Sequence, residues 1–254
     1  MNTTHLIARR VEPISHREAC ALAATEYGRV ADVLETLRPH HWDRPTDCTG
    51  WSVRDLAGHL VGAMRSAASV REFARQQLEA MRRAKSGGQP VDHMTAVQVE
   101  TTARLTQFEV VAECRALVTK AAAGRRRVPG AARRFVSVRV EMGTINERWT
   151  LGYLVDVILT RDTWMHRIDL CRAVGVAPQL TAEHDGRIVA DVVAEWARRH
   201  GHAYTLDLSG PAGGRFADRN PATRDAIEID AVQFCRVLSG RADGTGLLAT
   251  AVPF

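Results

Sequence analysis

Asp162, His166 and Asp169 fall where a helix needs apolar residues, and their side chains are of the kinds that hold metals or move protons. At helical spacing, Leu151, Leu154, Val155 and Ile158 form one stripe, and its continuation passes through Asp162, Met165, His166 and Asp169. The core face therefore turns polar. A carboxylate and an imidazole one turn apart on a buried face need compensation from each other, from another helix or from a metal ion. Asp-x-x-x-His is also a bidentate metal spacing, because side chains four residues apart on a helix project side by side.

Two readings stay open for that pair: a hydrogen bond inside a helical bundle, or part of a metal centre. A third residue bears on the choice. Residues 52–84 read as a long helix opened by a capping box, with Ser52 at the N-cap and Asp55 three residues on, and with Trp51 and Leu56 placed to staple its start. Val53, Leu56, Leu60 and Met64 form its core stripe, and His59 lies on the flank of that stripe. A second helix can thus aim His59 at the space claimed by Asp162 and His166. Two histidines and one carboxylate leave coordination positions open, which suits catalysis rather than a structural metal.

The segment from Trp42 to Gly62, with Pro45-Thr46, Cys48, Gly50-Trp51-Ser52-Val53-Arg54-Asp55-Leu56 and Gly58-His59-Leu60, resembles the first half of the mycothiol-dependent maleylpyruvate isomerase family. Arg161-Asp162-Thr163-Trp164-Met165-His166-Arg167-Ile168-Asp169-Leu170, then Ala173 and Gly175, is similar to that family's fourth-helix signature, and Leu238-Ser239-Gly240-Arg241 resembles its C-terminal domain. The resemblance implies a DinB-like four-helix bundle followed by a small mixed α/β domain. It also implies a divalent metal, taken as zinc, held by His59, Asp162 and His166. Asp162 stands where the family has a glutamate, one methylene longer. Arg241 is implied to reach back towards the bundle site as a catalytic and cofactor-binding residue; helix C-terminal charge compensation is the alternative for it.

The activity implied is that of a mycothiol-using S-transferase or cis-trans isomerase acting on a small electrophile. A coordinated thiol is readily deprotonated, so the metal would stabilise the cofactor's sulfur as a nucleophilic thiolate. Asp169, one turn after His166, can orient that imidazole or simply form a bundle salt bridge. Two rivals remain: a metal hydrolase on the same bundle, and a non-catalytic binding or regulatory module.

The elements that would position these residues follow from periodicity. Helix one covers residues 16–37 and stops before Pro39; the Gly- and Pro-containing stretch 85–90 ends helix two; a third run spans 96–123; and helix four covers 150–174. Between the last two lie a basic irregular stretch and the alternating segment 135–140. Gly175 to Pro178 marks the expected boundary between a bundle domain (1–175) and a small α+β domain (176–254). The latter should hold a helix at 183–200, strands near 204–208 and 227–229, a short helix capped by Asp230, and another strand within 246–253.

Composition suits a soluble cytoplasmic enzyme. The chain has 254 residues, 45% of them hydrophobic, with no apolar run long enough to cross a bilayer and no export signal at its start. Five cysteines (Cys20, Cys48, Cys114, Cys171 and Cys235) are odd in number, scattered and never spaced C-x-x-C, which argues against a disulfide framework and a thiolate metal cluster. Cys48, in the loop before the His59 helix, could approach the site, but it reads first as a partly buried inert thiol. A net charge of +5 and the cluster Arg125-Arg126-Arg127 with Arg133-Arg134 raise the question of nucleic acid. Lacking interleaved aromatics, the cluster reads instead as a solvated loop. The expected partners are a low-molecular-weight thiol and a small electrophile, with no nucleic acid and no membrane.

Overall fold

The computed structural model describes residues 6–7, 11–142, 145–218 and 226–254. Helix starts are specified locally. Reciprocal capping boxes open α1 (His16–Glu35) through Ser15 and Glu18, α2 (Val53–Ala68) through Ser52 and Asp55, and α5 (Gln107–Arg126) through Thr106 and Glu109.

Two of the expected long helices are each a pair. The run 52–84 divides into α2 and α3 (Val70–Ala84) at Ser69, whose backbone is extended and whose side chain accepts a hydrogen bond from the Glu72 amide. No glycine or proline announces this break. Its cause is tertiary: α3 folds back on α2, and the Gln76 amide donates to the Gly62 carbonyl at 3.0 Å, a contact that a straight helix would forbid. The run 96–123 likewise becomes α4 (Pro90–Glu100) and α5, separated by a loop that ends at the Thr106 cap.

Beyond α5, the short α6 (Gly130–Phe135) leads into an antiparallel hairpin of β2 (Ser137–Met142) and β3 (Ile145–Thr150), paired from Ser137↔Thr150 to Met142↔Ile145. Sequence periodicity marks only the first of these strands. A π-helical turn at Tyr153–Ile158 then runs into α7 (Leu159–Val174). By widening the helix it changes the phase of the expected stripe. Leu154 and Ile158 pack with Ile145 and Trp149 of the hairpin instead of the bundle core.

Packing runs from α1 to α5, α5 to α2, α2 to α7 and α7 to α1, closing a four-helix ring around Tyr27, Leu34, Leu56, Leu60, Met64, Val110 and Leu170. α7 is central: from Thr163 through Cys171 every residue is buried, so it is enclosed on all sides rather than amphipathic. The basic cluster lies on the ends of α5 and α6 rather than in a loop; Arg126, Arg127 and Arg134 are exposed as expected, but Arg125 and Arg133 are not. Arg125 is buried near the end of α5 and donates to the Val155 carbonyl and to Thr160 Oγ1, while Arg133 of α6 pairs with Asp156 at 3.0 Å. These arginines tie helix ends to the π-turn.

The chain divides into two compact units, residues 15–178 and residues 1–14 with 179–254. The first fourteen residues thus go with the smaller unit, because β1 (Leu6–Ile7) pairs in parallel with β5 (Gly214–Ala217). That unit also contains α8 (Asp185–His200), β4 (Thr205–Ser209), β6 (Ile227–Asp230) and α9 (Ala231–Leu238), with sheet order β1-β5-β4-β6. Asp230 caps α9 as its position suggests. The expected tail strand is instead a 3-10 turn at Gly246–Ala249, held when Trp196 Nε1 donates to the Leu247 carbonyl at 2.9 Å and the Val252 amide donates to Leu238. Among the described residues no helix is long and apolar enough to cross a membrane.

Two glycines test the packing of α5 against α2. A methyl group at Gly124 would overlap the Ala67 carbonyl, whereas nothing lies within 4 Å of one at Gly28. Gly124→Ala should therefore destabilise the protein by about 1–3 kcal/mol. Gly28→Ala, in the open middle of α1, should stabilise it by roughly 0.5–1 kcal/mol. Urea unfolding of both variants checks the pair; equal midpoints would mean that α5 does not approach α2 this closely.

Candidate metal centre

α2 and α7 pack side by side in the bundle, and the polar interruptions of their stripes meet. His59 lies on the second turn of α2, and Asp162 and His166 lie one turn apart on α7. His166 Nε2 is 3.2 Å from Asp162 Oδ1, His59 Nε2 is 3.7 Å from Asp162 Oδ2, and the two imidazole centroids are 5.0 Å apart at 79°. One ligand atom from each residue lies within 4.8 Å of the others. All three residues singled out from spacing are therefore together.

The site is enclosed but reachable. The side chain of Asp162 keeps 24% of its exposure, while those of His59 and His166 keep 6% and 10%. Trp51 closes one side, its ring centroid 5.2 Å from that of His59 and 6.3 Å from that of His166. The sequence gives Trp51 a role in clamping the start of α2, and its rigid ring serves as a wall of the site as well.

Behind His166 stands a second layer of donors. Asp169 Oδ2, with its side chain fully buried, is 3.2 Å from His166 Nδ1, and the Cys48 thiol lies 3.6 Å from the same nitrogen and 3.5 Å from Asp169 Oδ2. An ionised carboxylate only accepts, so Asp169 holds a proton on Nδ1 and turns Nε2 towards Asp162 and His59. Cys48, read from sequence as an inert thiol, is thus part of the site's surroundings. Its signal was its place in the loop before α2, which position alone could not separate from that of a packing residue.

Electrostatics follow from this crowding. Burial pushes the Asp162 carboxyl up, but the charge and hydrogen bond of His166, with His59 close by at 3.7 Å, outweigh it and hold the carboxyl well below its usual range. Burial likewise works against a charged His166; Asp162 beside it, with Asp169 and Cys48, reverses the balance and raises its pKa. The site is built to stabilise positive charge.

A divalent cation fits this donor set. Both ring nitrogens of His59 are buried and have no hydrogen-bond partner, a costly arrangement for an imidazole that only has to pack. Two imidazoles and a carboxylate are borderline donors suited to zinc and its neighbours. By contrast, an open groove of about 960 Å³ lined by Arg65, Glu72, Arg75, Glu79, Arg83 and Lys120 contains none of these ligands, and its charges largely pair with one another.

Arg241 is in the smaller unit, just past the C-terminus of α9. Gly240 adopts a left-handed conformation (φ 76°), and the Arg241 amide donates to the Arg236 carbonyl at 2.8 Å, which closes the helix end.

Comparison with known proteins agrees with the fold. The profile of the mycothiol maleylpyruvate isomerase N-terminal domain matches residues 23–171, well over half of the chain. The chain belongs to this family. Two solved structures share the fold: a mycothiol-dependent maleylpyruvate isomerase (14% identity, TM-score 0.52, 91% of each chain covered) and a histidine-to-alanine mutant of such an enzyme (13%, 0.53, 90% of each). No curated protein matches the sequence. The matched segment of this maleylpyruvate isomerase family member includes His59, Asp162, His166, Asp169 and Cys48.

If the three residues ligate, Asp162→Glu should retain bound metal while Asp162→Ala and His166→Ala lose most of it with the helical fold intact. Elemental analysis and circular dichroism check this; equal metal in the wild type and Asp162→Ala would remove Asp162 from the ligand set. Asp169→Asn, which disturbs the tautomer of His166, should weaken metal binding about 10–100-fold. A competition titration with a chelator measures that loss.

Proposed function

We propose that this protein is a divalent-metal-dependent enzyme that uses mycothiol to act on a small electrophile, as an S-transferase or a cis-trans isomerase. One observation carries the reading: His59, on a different helix from Asp162 and His166, faces them with both ring nitrogens buried and without a hydrogen bond, Nε2 standing 3.7 Å from Asp162 Oδ2. Family membership supplies the thiol and the reaction class.

His59, Asp162 and His166 would hold the cation, with zinc the metal the donors favour. When bound, the cation and the thiol together supply a sulfur nucleophile at neutral pH, whose addition to an electrophilic carbon ends as a thioether in transfer or reverses after bond rotation in isomerisation. Asp169 keeps the proton on His166 Nδ1 and thereby fixes which nitrogen faces the site. Trp51 covers the two rings and limits water at that side, and the partly exposed Asp162 marks the open approach. In this reading Arg241 binds an anionic or polar part of the cofactor or substrate.

The protein incubated with a reactive electrophile should need added mycothiol, lose activity on chelation and recover it with zinc. Arg241→Ala should lower activity without changing metal content. Consumption of substrate at the same rate without any thiol would favour a metal hydrolase instead, and bound metal with no activity towards any electrophile would favour a binding module.

A further inference from the structure

His166 presents donors on both sides of its ring. Nε2 faces Asp162 and His59, and Nδ1 faces Cys48 and Asp169. We propose that Cys48, Asp169 and His166 Nδ1 form a second cation site, for a thiophilic divalent ion such as zinc, that shares the His166 ring with the first.

The argument is geometric. The three donor atoms form a triangle with edges of 3.6 Å (Sγ to Nδ1), 3.5 Å (Sγ to Oδ2) and 3.2 Å (Nδ1 to Oδ2). Zinc bonds of about 2.3 Å to sulfur and about 2.0–2.1 Å to nitrogen and oxygen, held at tetrahedral angles, require edges of roughly 3.6, 3.6 and 3.4 Å between the ligand atoms. The side chains thus stand within about 0.2 Å of one face of such a tetrahedron, with room needed only for the ion and one outer ligand. The same distances also suit hydrogen bonds, and that is the state in which Asp169 orients His166.

Chemistry and access point the same way. Thiolate, imidazole and carboxylate together select a borderline-soft cation. Among the five cysteines Cys48 alone is partly exposed; the other four are buried, and burial pushes the Cys114 thiol up to about 12. Filling the site releases the thiol proton of Cys48 and the Nδ1 proton of His166. With both sites filled, His166 serves as an imidazolate between two ions. The thiolate, the imidazolate and the two carboxylates then carry four negative charges, which two divalent ions neutralise, so a pair of cations leaves no net charge in a mostly buried cluster.

Cobalt(II) titration of the purified full-length protein without added thiol tests this, because cobalt bound to thiolate gains a near-ultraviolet charge-transfer band that cobalt bound to nitrogen and oxygen lacks. Two equivalents should bind, the band growing with the equivalent that fills the Cys48 side. Cys48→Ser should abolish the band and that equivalent while the other still binds, with circular dichroism unchanged. Asp162→Asn should lose the equivalent held by His59 and Asp162 and keep the band. Saturation at one equivalent without the band, a band lost in Asp162→Asn, or a band that persists in Cys48→Ser, would overturn the proposal. Because the inference shares His166 with the functional reading, the two variants separate their failures: a band without the Asp162-dependent equivalent would leave the second site standing and remove the first.

Discussion

The structure depends on burying charged and titratable groups along a helix that is enclosed on every side. α7 carries Arg161, Asp162, His166, Arg167 and Asp169 through the middle of the bundle, and each must find compensation there. Arg167 does so through Glu26 of α1, its Nε 2.7 Å and its Nη2 3.1 Å from the two carboxylate oxygens, with both side chains at 1% exposure or less. Removing one member of such a pair costs about 3–5 kcal/mol, since it strands the other charge. The pair anchors α7 to α1, and the face of α7 turned to α2 is then fixed in rotation. That rotation decides whether Asp162 and His166 face His59.

Function follows from the same constraint. Helices locked in phase by buried ion pairs place rigid donors, and the loop residues Cys48 and Trp51 at the site are tied to the start of α2. There the Thr46 amide and the Asp55 carboxylate bond to Trp51 and Ser52 respectively. The result is a cluster with an acidic group on each side of His166 and, opposite, an imidazole that makes no hydrogen bond. Such a cluster is a poor core and a good cation site.

Much of this was legible in the sequence, for reasons that differ by element. Polar residues in phase with a core stripe gave His59, Asp162 and His166, because burying them without a purpose is costly. Capping boxes gave the start of α2, and the glycine after Val174 gave the end of α7, which Gly175 closes with φ 74°. What periodicity could not supply was anything set by tertiary contact. The break at Ser69 exists because α3 folds back on Gly62, and the π-turn at Tyr153–Ile158 changes the phase of the very stripe that first drew attention to α7. Asp162 and His166 were still placed correctly, since their mutual spacing lies wholly within regular α-helix beyond the turn. The Thr106-x-x-Glu109 box was readable and would have divided the third run; Cys48 was visible, but its neighbours across 118 residues of chain were not.

The central claim is that one cation is held between α2 and α7 by His59, Asp162 and His166. A crystal structure of the zinc-loaded protein, with anomalous diffraction recorded on both sides of the zinc edge, tests it most directly. The account predicts an anomalous peak about 2.0–2.2 Å from one nitrogen of each imidazole and from an Asp162 oxygen. No anomalous density at that point, with His59 turned away from Asp162 and His166, would contradict it.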